Sequence, residues 1–558
     1  MIMDNILLEP INMPAPFGFD SWLTFWLILT ISVINAILMV FACYKLLQVF
    51  QLGGYRVKDY FDWFKSTKFS FWGRLVMLSF LSSAALLITN VLLEDFFKYK
   101  IMTYIGLVFY LIFVTFFIIN QYTAPQKKPL KYTHRMTRMV IVLGIIVFIL
   151  TFMMLNFSTI NIPYFDYGAV GLTPVFMPIF VLFAFFITYP FEYWNNMRFR
   201  KKAEQKLQSK KLIKIGITGS YGKTSVKAIL ATMLGEKYKV CATPFSFNTP
   251  MGLSKTILND LDDADEIFIA EMGAKHVGDI RFLCDMIKPD IGILTAIGNQ
   301  HLGTFGTQEN IVKTKNELVL GLNKGGKVFV NLDNKYCKQL FDNAQIQKFG
   351  CSVEDETQDV FAKNIKVTKS GSTFELCFKD GKSIYCETNL LGEHNISNII
   401  LCAGVAKELG LTLEQIKNAI SKIMPTPHRL ALVPSTNSLV VIDDAYNGSV
   451  EGAKAAMKVL SLFDGKKVVI TPGLVELGSE SFNSNFQLGI DMAGVCDYVV
   501  INGLMNFEAI YNGLVFAGFK EENIYRSVSL KQAVEFLPKI TNPGDVVLFE
   551  NDLPDNYT

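Results

Sequence analysis

The chain has 558 residues, 53 basic and 50 acidic, of which 51% are hydrophobic and 18% charged. Those proportions exclude a disordered or polyelectrolyte chain, and also an ordinary single-domain soluble enzyme. A net charge of +3 is too small to argue for a nucleic-acid partner. At about 100–200 residues per domain, the length suggests three or four domains. The average conceals a split. The first 190 residues hold 21 charged side chains, about 11%, and the remaining 368 hold 82, about 22%. A membrane part is therefore expected to precede a soluble part. The nine cysteines are scattered and none forms a C-x-x-C pair, which argues against a zinc ribbon and for reduced, cytosolic thiols.

Five apolar runs, at roughly 22–44, 75–93, 101–119, 139–157 and 170–189, approach the ~20 residues that a membrane span requires. The first has neither the basic leader nor the small-residue cleavage site of a signal peptide, so it reads as a retained helix. The segment before it carries Asp4, Glu9 and Asp20 and no basic residue. The loop after it carries Lys45, Arg56, Lys58, Lys65, Lys68 and Arg74. Basic residues are dense again at Lys127, Lys128, Lys131, Arg135 and Arg138, and at Arg198, Arg200, Lys201, Lys202, Lys206, Lys210 and Lys211. The intervening connections are mixed or without basic residues. By the positive-inside rule the N-terminus is outside and the C-terminus inside. The expectation is a multi-pass protein of the inner cell membrane with its soluble half in the cytoplasm. No acidic, basic or histidine side chain falls mid-run, which argues against an ion pathway. The bundle reads as an anchor, or as a platform for a lipid-linked substrate.

Residues 212–218 (LIKIGIT) form an apolar, β-branched run, so a strand. Gly219-Ser-Tyr-Gly222-Lys223-Thr224-Ser225 follows, and then a helical pattern, VKAILATMLGEK. Strand, glycine loop and helix together make the phosphate-cradling arrangement. Glycines let backbone N–H groups approach phosphate oxygens, Lys223 adds a cation, and the Thr224 hydroxyl can ligate Mg²⁺. The common G-x-x-x-x-G-K-[ST] spacing is not met, because Ile217 stands where its first glycine would be. Glu271 ends an apolar strand, IFIAE, and opens at the strand's C-terminal end, where open α/β sheets bind ligands. His301 follows another apolar run, IGILTAIGN. Residues 358–390 alternate and carry turn signals (SGS, KDGK), so antiparallel hairpins are expected there. LVVIDDAYNGS reads as a buried strand, then Asp443 and Asp444, then a polar turn.

TGSYGKTS resembles the T-G-x-x-G-K-T-[TS] loop of the Mur ligases, ATP-dependent amide-forming enzymes of peptidoglycan precursor synthesis, and most of all their D-alanyl-D-alanine-adding branch. The resemblance continues in order through Asn248-Thr-Pro-Met-Gly252, Glu271-Met-Gly-Ala274, His301-Leu302, Lys313-Thr-Lys315, Gly392-Glu-His-Asn395-Ile-Ser-Asn398, His428-Arg429-Leu430, Asp443-Asp444-Ala-Tyr446-Asn447 and Glu476-Leu-Gly478. The resemblance covers about 212–550. Beside the membrane helical bundle expected at 1–205 from the apolar runs, it implies a P-loop-type α/β central ATP-binding domain at 206–425 and a Rossmann-like C-terminal domain at 426–558. It further implies that ATP is held by Gly219, Ser220, Gly222, Lys223, Thr224 and Ser225, with Asn395 and Asn398 near the adenine. Arg429, Asp444 and Asn447 would meet the nucleotide from the C-terminal domain. Of two implied Mg²⁺ ions, Thr224 and Glu271 would hold one, and His301 and a carbamylated Lys315 the other, with Lys313 as the register alternative for that lysine. Lys223, His301 and Lys315 are the implied catalytic residues. The bland readings stay beside these: Asn395 and Asn398 as helix caps, Asp443 and Asp444 as an N-cap pair, and His394 as a structural histidine.

The implied reaction joins a carboxylate acceptor to an amine donor through an acyl phosphate. The acceptor is expected to be a UDP-linked or lipid-linked muropeptide, and the donor an amino acid or dipeptide. Two departures weaken the transfer of substrate identity. Apolar runs stand where the family has a soluble UDP-recognising domain, and the lysine-glycine-serine-rich tail is replaced by GDVVLFE running into NDLPDNYT. Rival readings are a ligase for another wall or capsule polymer, a non-catalytic membrane scaffold, and an ATP-driven transporter.

Overall fold

In the computed structural model of the protein, residues 22–88, 101–123, 129–157, 170–300, 302–433, 438–446, 448–475 and 477–551 are described. His301, Asn447 and Glu476 lie outside the described residues. The chain divides into two units, Met1–Asn195 and Asn196–Pro554.

The first unit is helical. Its helices span Trp22–Ala42, Tyr44–Leu52, Val57–Ser66, Ser70–Leu87, Ile101–Thr123 and His134–Phe157, and another begins at Thr173 and ends at Gln208. Five described helices are long and apolar enough to cross a membrane. The basic stretch after the first run, expected to be a loop, folds instead as the two short helices at 44–66. They are separated by a turn in which Gly54 and Tyr55 take φ of 65° and 61°. In Val57–Ser66 the buried Tyr60 and Phe64 lie four residues apart on one face. Asp59 in its first turn and Lys65 in its last suit the helix dipole.

This unit has an apolar core, with Met39, Leu47, Leu75 and Leu143 buried, yet it also exposes large apolar side chains and buries several polar ones. Trp26, Ile37, Phe80, Phe116 and Ile187 face outward, whereas Ser32, Asn35, Ser82 and Thr151 are buried. Asn35 Nδ2 donates to Thr151 Oγ1 at 2.8 Å, and the Tyr110 hydroxyl donates to Asn35 Oδ1, so one amide ties three helices together. Arg138 Nε meets Glu192 Oε1 at 2.6 Å. Replacing Asn35 by Ala removes both interhelical bonds. The expected loss is about 1–2 kcal/mol, read as a lower unfolding midpoint of the full chain in detergent.

The second unit holds two sheets. The larger comprises β1 (Ile213–Thr218), β2 (Val240–Ala242), β3 (Ile267–Glu271), β4 (Ile291–Leu294), β5 (Lys327–Asn331), β6 (Gln347–Ser352), β7 (Val360–Thr368), β8 (Gly371–Phe378) and β9 (Ser383–Thr388). Its order is β2-β3-β1-β4-β5-β6-β7-β8-β9, parallel up to β7 and antiparallel from there to β9. The hairpins expected within 358–390 are present and extend this same sheet. Strand β1 is central because both of its faces are covered. Ile215 and Ile217 pack under the helices Lys223–Leu234 and Glu393–Glu408. On the other face, a Cβ at Gly216 would come within 3.0 Å of both Leu318 and Met272. Parallel strands buried on both sides read as continuous apolar runs, as these do.

The smaller sheet comprises β10 (Ala431–Val433), β11 (Val440–Asp444), β12 (Lys467–Thr471), β13 (Tyr498–Asn502), β14 (Ile524–Ser527) and β15 (Val546–Glu550). Its order is β10-β11-β15-β12-β13-β14, with only β10 antiparallel to its neighbour. The β11–β15 register sets Asp444 opposite Glu550 at the C-terminal ends of the two strands.

Candidate nucleotide site

The glycine loop leaves the C-terminal end of β1 and turns into the helix Lys223–Leu234. It is pinned to the segment after β4. Ser220 N–H donates to Ala296 O at 2.6 Å, Gly298 N–H donates to Ser220 Oγ at 3.1 Å, and Thr295 Oγ1 donates to Tyr221 O. Two glycines are required by this packing. A Cβ at Gly219 would lie 2.0 Å from Thr295 Oγ1. Gly222 has φ +80° and would press a Cβ to 2.9 Å from Asn398 Oδ1. Gly222 is the helix N-cap and supplies no side-chain cap, so the first-turn N–H groups are not claimed by one.

Lys223 Nζ folds back to donate to Gly219 O at 2.7 Å and Ser220 O at 2.8 Å. Burial lowers its pKa to about 8; Glu271 opposes that shift and Arg429 adds to it. Thr224 and Ser225 occupy the same first turn, both half-buried. Thr224 Oγ1 donates to Glu271 Oε1 at 3.2 Å.

Glu271 ends β3 as expected and is 1% exposed. Besides Thr224, it accepts from Lys227 Nζ at 2.9 Å and Asn248 Nδ2 at 3.1 Å. Lys227 also donates to Phe245 O. Sequence reasoning gave no role to Lys227 or Asn248. The signal for Lys227 was its position four residues after Lys223, on the same helix face. For Asn248 it was Gly273, whose missing side chain leaves the space the Asn248 amide fills: a Cβ there would lie 2.6 Å from Asn248 Cγ.

Lys315 lies on the helix Gln308–Leu320 and is 3% exposed, whereas Lys313 faces solvent. Among the described residues its amine makes no hydrogen bond or ion pair. Burial holds its pKa well below the ordinary lysine value, and Lys223 pushes the same way. Of the two lysines in the VKTKN segment, Lys315 is thus the one in the interior. Of the implied metal ligands, Thr224 and Glu271 stand side by side, while His301 lies outside the described residues; among those residues no cluster of three His, Cys, Asp or Glu side chains able to hold a metal occurs.

Asn395 and Asn398 are both buried on the helix Glu393–Glu408. Neither caps it: Gly392 is the N-cap, and Asn395 Nδ2 donates to Leu391 O at 2.8 Å. Asn398 packs its Oδ1 against Gly222, directly behind the phosphate loop. Asp443 and Asp444 likewise close β11 rather than cap a helix; Ser449 caps the next one. Asp444 Oδ1 accepts from Leu430 N–H at 3.0 Å, and Asp443 Oδ2 meets His428 Nδ1 at 2.7 Å. The Arg429 guanidinium lies 4.8 Å from the Tyr446 ring centroid. Burial lowers the Arg429 pKa, while Asp444, Tyr446, Glu271 and Glu550 favour its charge. Arg429 therefore stands within electrostatic reach of both Lys223 and Glu271. Tyr221 was also missed: its phenol hydrogen-bonds Glu451, joining the phosphate loop to the helix after β11.

Lys227→Met would leave Glu271 short of its only cationic hydrogen-bond donor among the described residues. Breaking such a buried pair costs about 3 kcal/mol, so the expected result is a clear drop in thermal unfolding temperature. Adding Glu271→Gln in the same chain restores much of that loss.

Comparison with known proteins agrees with this geometry. Residues 217–406 match the Mur ligase middle domain. The chain is 32% identical over 264 residues to the UDP-N-acetylmuramoyl-tripeptide–D-alanyl-D-alanine ligase of Buchnera aphidicola, covering 47% of this chain and 57% of that protein. It is 30% identical over 278 residues to the Escherichia coli enzyme of the same name, covering 49% and 61%. The chain thus spans about 60% of the length of these relatives. The structure of MurF ligase from Thermotoga maritima in complex with ADP superposes with a TM-score of 0.58 at 27% identity, covering 64% of this chain and 80% of that one. The resemblance read from the motifs is borne out at the centre of the chain: residues 217–406 are a Mur ligase middle domain.

Proposed function

We propose that the protein is a membrane-anchored, ATP-dependent carboxylate–amine ligase of the MurF type, acting in peptidoglycan or cell-envelope precursor synthesis. The observation that carries this reading is the joint placement of the glycine loop, Lys223, Thr224 and the buried Glu271, with Arg429 in electrostatic reach. The acceptor carboxylate attacks the γ-phosphorus of ATP; ADP departs and an acyl phosphate forms. The amine donor then attacks the acyl carbon, loses a proton and expels phosphate. Two anions meet in the first step, so the catalytic task is to neutralise and position them. Lys223 is suited to it: bound phosphate favours its charged form and opposes the shift caused by burial.

Thr224 and Glu271 fit a Mg²⁺ ion in chemistry, because both present hard oxygen donors and their oxygens already stand 3.2 Å apart. Bound there, the ion would screen phosphate charge. Lys315 as an amine does not fit a cation site. Its buried nitrogen, whose charged form burial disfavours, fits carbamylation instead: N–C bond formation with CO₂ and loss of a proton would turn it into a carboxylate. Asn395, Asn398, Asp444 and Asn447 are proposed contacts of the nucleotide, and His301 a proposed ligand, with carbamylated Lys315, of a second Mg²⁺.

The five apolar helices, with large apolar side chains exposed and a few polar ones buried between helices, support an anchor in the lipid bilayer. The ligase half would then lie in the cytoplasm, with the N-terminus outside. A membrane anchor favours a lipid-linked muropeptide as acceptor. The relatives' names point to the UDP-linked tripeptide and to D-alanyl-D-alanine as donor. The test is phosphate release by the full chain in lipid nanodiscs with ATP, Mg²⁺ and D-alanyl-D-alanine, given either acceptor. The expected result is release with the lipid-linked acceptor and a loss of about a hundredfold or more in Lys223→Ala. Release with the UDP-linked form alone would overturn the membrane-acceptor reading, and unchanged release in Lys223→Ala the ligase reading.

A further inference from the structure

Glu550 is wholly buried at the end of β15, and as a carboxylate neither of its oxygens has a hydrogen-bond donor. A side chain so placed would ordinarily swing toward water or find a cation. Here the backbone forbids the swing. The next residue, Asn551, has φ 61° and is fixed at three points. Its N–H donates to Asp444 O at 3.0 Å, its Oδ1 accepts from Gly448 N–H at 2.7 Å, and its Nδ2 donates to Gly473 O at 2.6 Å. The strand end is clamped, and the acid is committed to the interior.

Its neighbour there is another acid. Asp444 is its register partner across the β11–β15 pair, and the two side chains are within hydrogen-bonding reach. Two carboxylates can only accept; one proton between them supplies the missing donor. Asp444 already accepts from Leu430 N–H, which favours its ionised form, whereas Glu550 has no other donor. The proton therefore belongs on Glu550. The other charged or titratable groups around the pair are Arg429, which attracts both acids, and Asp443, which repels Asp444 and is itself engaged with His428. On the other side β15 adjoins β12, which ends at Thr471, whose hydroxyl accepts from Gly473 N–H.

We propose that Glu550 is a positioning residue which, by keeping its proton and donating it to Asp444, holds Asp444 as a single negative charge matched to Arg429 at the nucleotide site. The proposal rests on the nucleotide reading given above for Arg429 and Asp444. With the proton, the two acids carry one charge against one guanidinium. Without it they carry two, repel each other across the strands, and present surplus negative charge to an anionic ligand. Burial and Asp444 raise the Glu550 pKa well above the ordinary value. The proton is accordingly held above the pH at which an exposed glutamate would lose it, and is lost only as pH rises through that raised value.

The test uses the full chain, with ADP as the probe and infrared spectroscopy as a second readout. A protonated-carboxyl band is expected at about pH 7 in the wild type and absent in Glu550→Gln. Gln donates as protonated Glu does but cannot lose a charge-bearing proton. Glu550→Gln should therefore bind ADP as the wild type does at about pH 7 and weaken less than it by about pH 9. Lys223 also titrates over that range, alike in both proteins, so the difference between them isolates Glu550. Glu550→Ala should bind ADP about tenfold more weakly while still unfolding cooperatively; if it fails to fold, the Gln variant carries the test. Absence of the infrared band, or identical pH profiles for wild type and Glu550→Gln, would overturn the proposal. Failure of the wild type to bind ADP at any pH would instead remove the nucleotide reading, and the infrared band would still decide where the proton sits.

Discussion

A carboxylate that is 1% exposed must be surrounded by donors, and Glu271 organises the candidate site through that requirement. Its donors come from separate elements: Thr224 and Lys227 from the helix after the glycine loop, and Asn248 from the loop after β2. Satisfying one acid thus aligns the loop, the helix and the strand end together. Lys227 extends the arrangement by holding Phe245 O, on a residue whose φ of 46° is uncommon for a bulky side chain. The buried ion pair thus holds a strained residue at the edge of the site.

What could be read from the chain depended on whether the deciding contact was local. The strand–glycine–helix turn, the exit of Glu271 from β3 and the hairpins after β6 are written in short-range patterns, and the structure shows them where expected. So are the five long apolar helices, although the ends of four shift by a few residues and the last runs on to Gln208. The 44–66 helices were missed because their basic residues suggested a loop, while the inward pair Tyr60 and Phe64 spans only one turn. Lys313 and Lys315, two residues apart on a helix, point to nearly opposite sides. The segment alone does not say which of them is buried; the packing around the helix does. Asn395 and Asn398 looked like caps because they open a helix, yet Gly392 already holds the cap position.

Glu550 was illegible for a related reason. GDVVLFE reads as an apolar strand with a polar end, which is ordinary at a surface. Its meaning comes from Asp444, a partner far away in sequence that only the β11–β15 register supplies. The same holds for Tyr221 and Glu451, whose contact joins the phosphate loop to the helix following β11. Residues that connect the two sheets carry no local signature, because neither side's pattern anticipates the other.

The charges around the loop explain why such connections matter. Lys223, Lys227 and Arg429 are cations here, while burial and Lys223 push the Lys315 amine toward its neutral form. Against them stand Glu271 and, if Glu550 keeps its proton, one charge on Asp444. Glu271 is already engaged with Lys227, which leaves Lys223 and Arg429 as the cations nearest the loop, with Asp444 beside Arg429 and Glu451 on the Tyr221 phenol. Burial disfavours the positive charge on Lys223 and Arg429, and only a polyanion brought among them relieves the penalty. Ionising Glu550 would add a negative charge beside Arg429 and make the entry of a phosphate less favourable. The proposed preference of this site for an anion therefore rests on charges held at opposite ends of the unit's sequence and brought into reach by the two sheets.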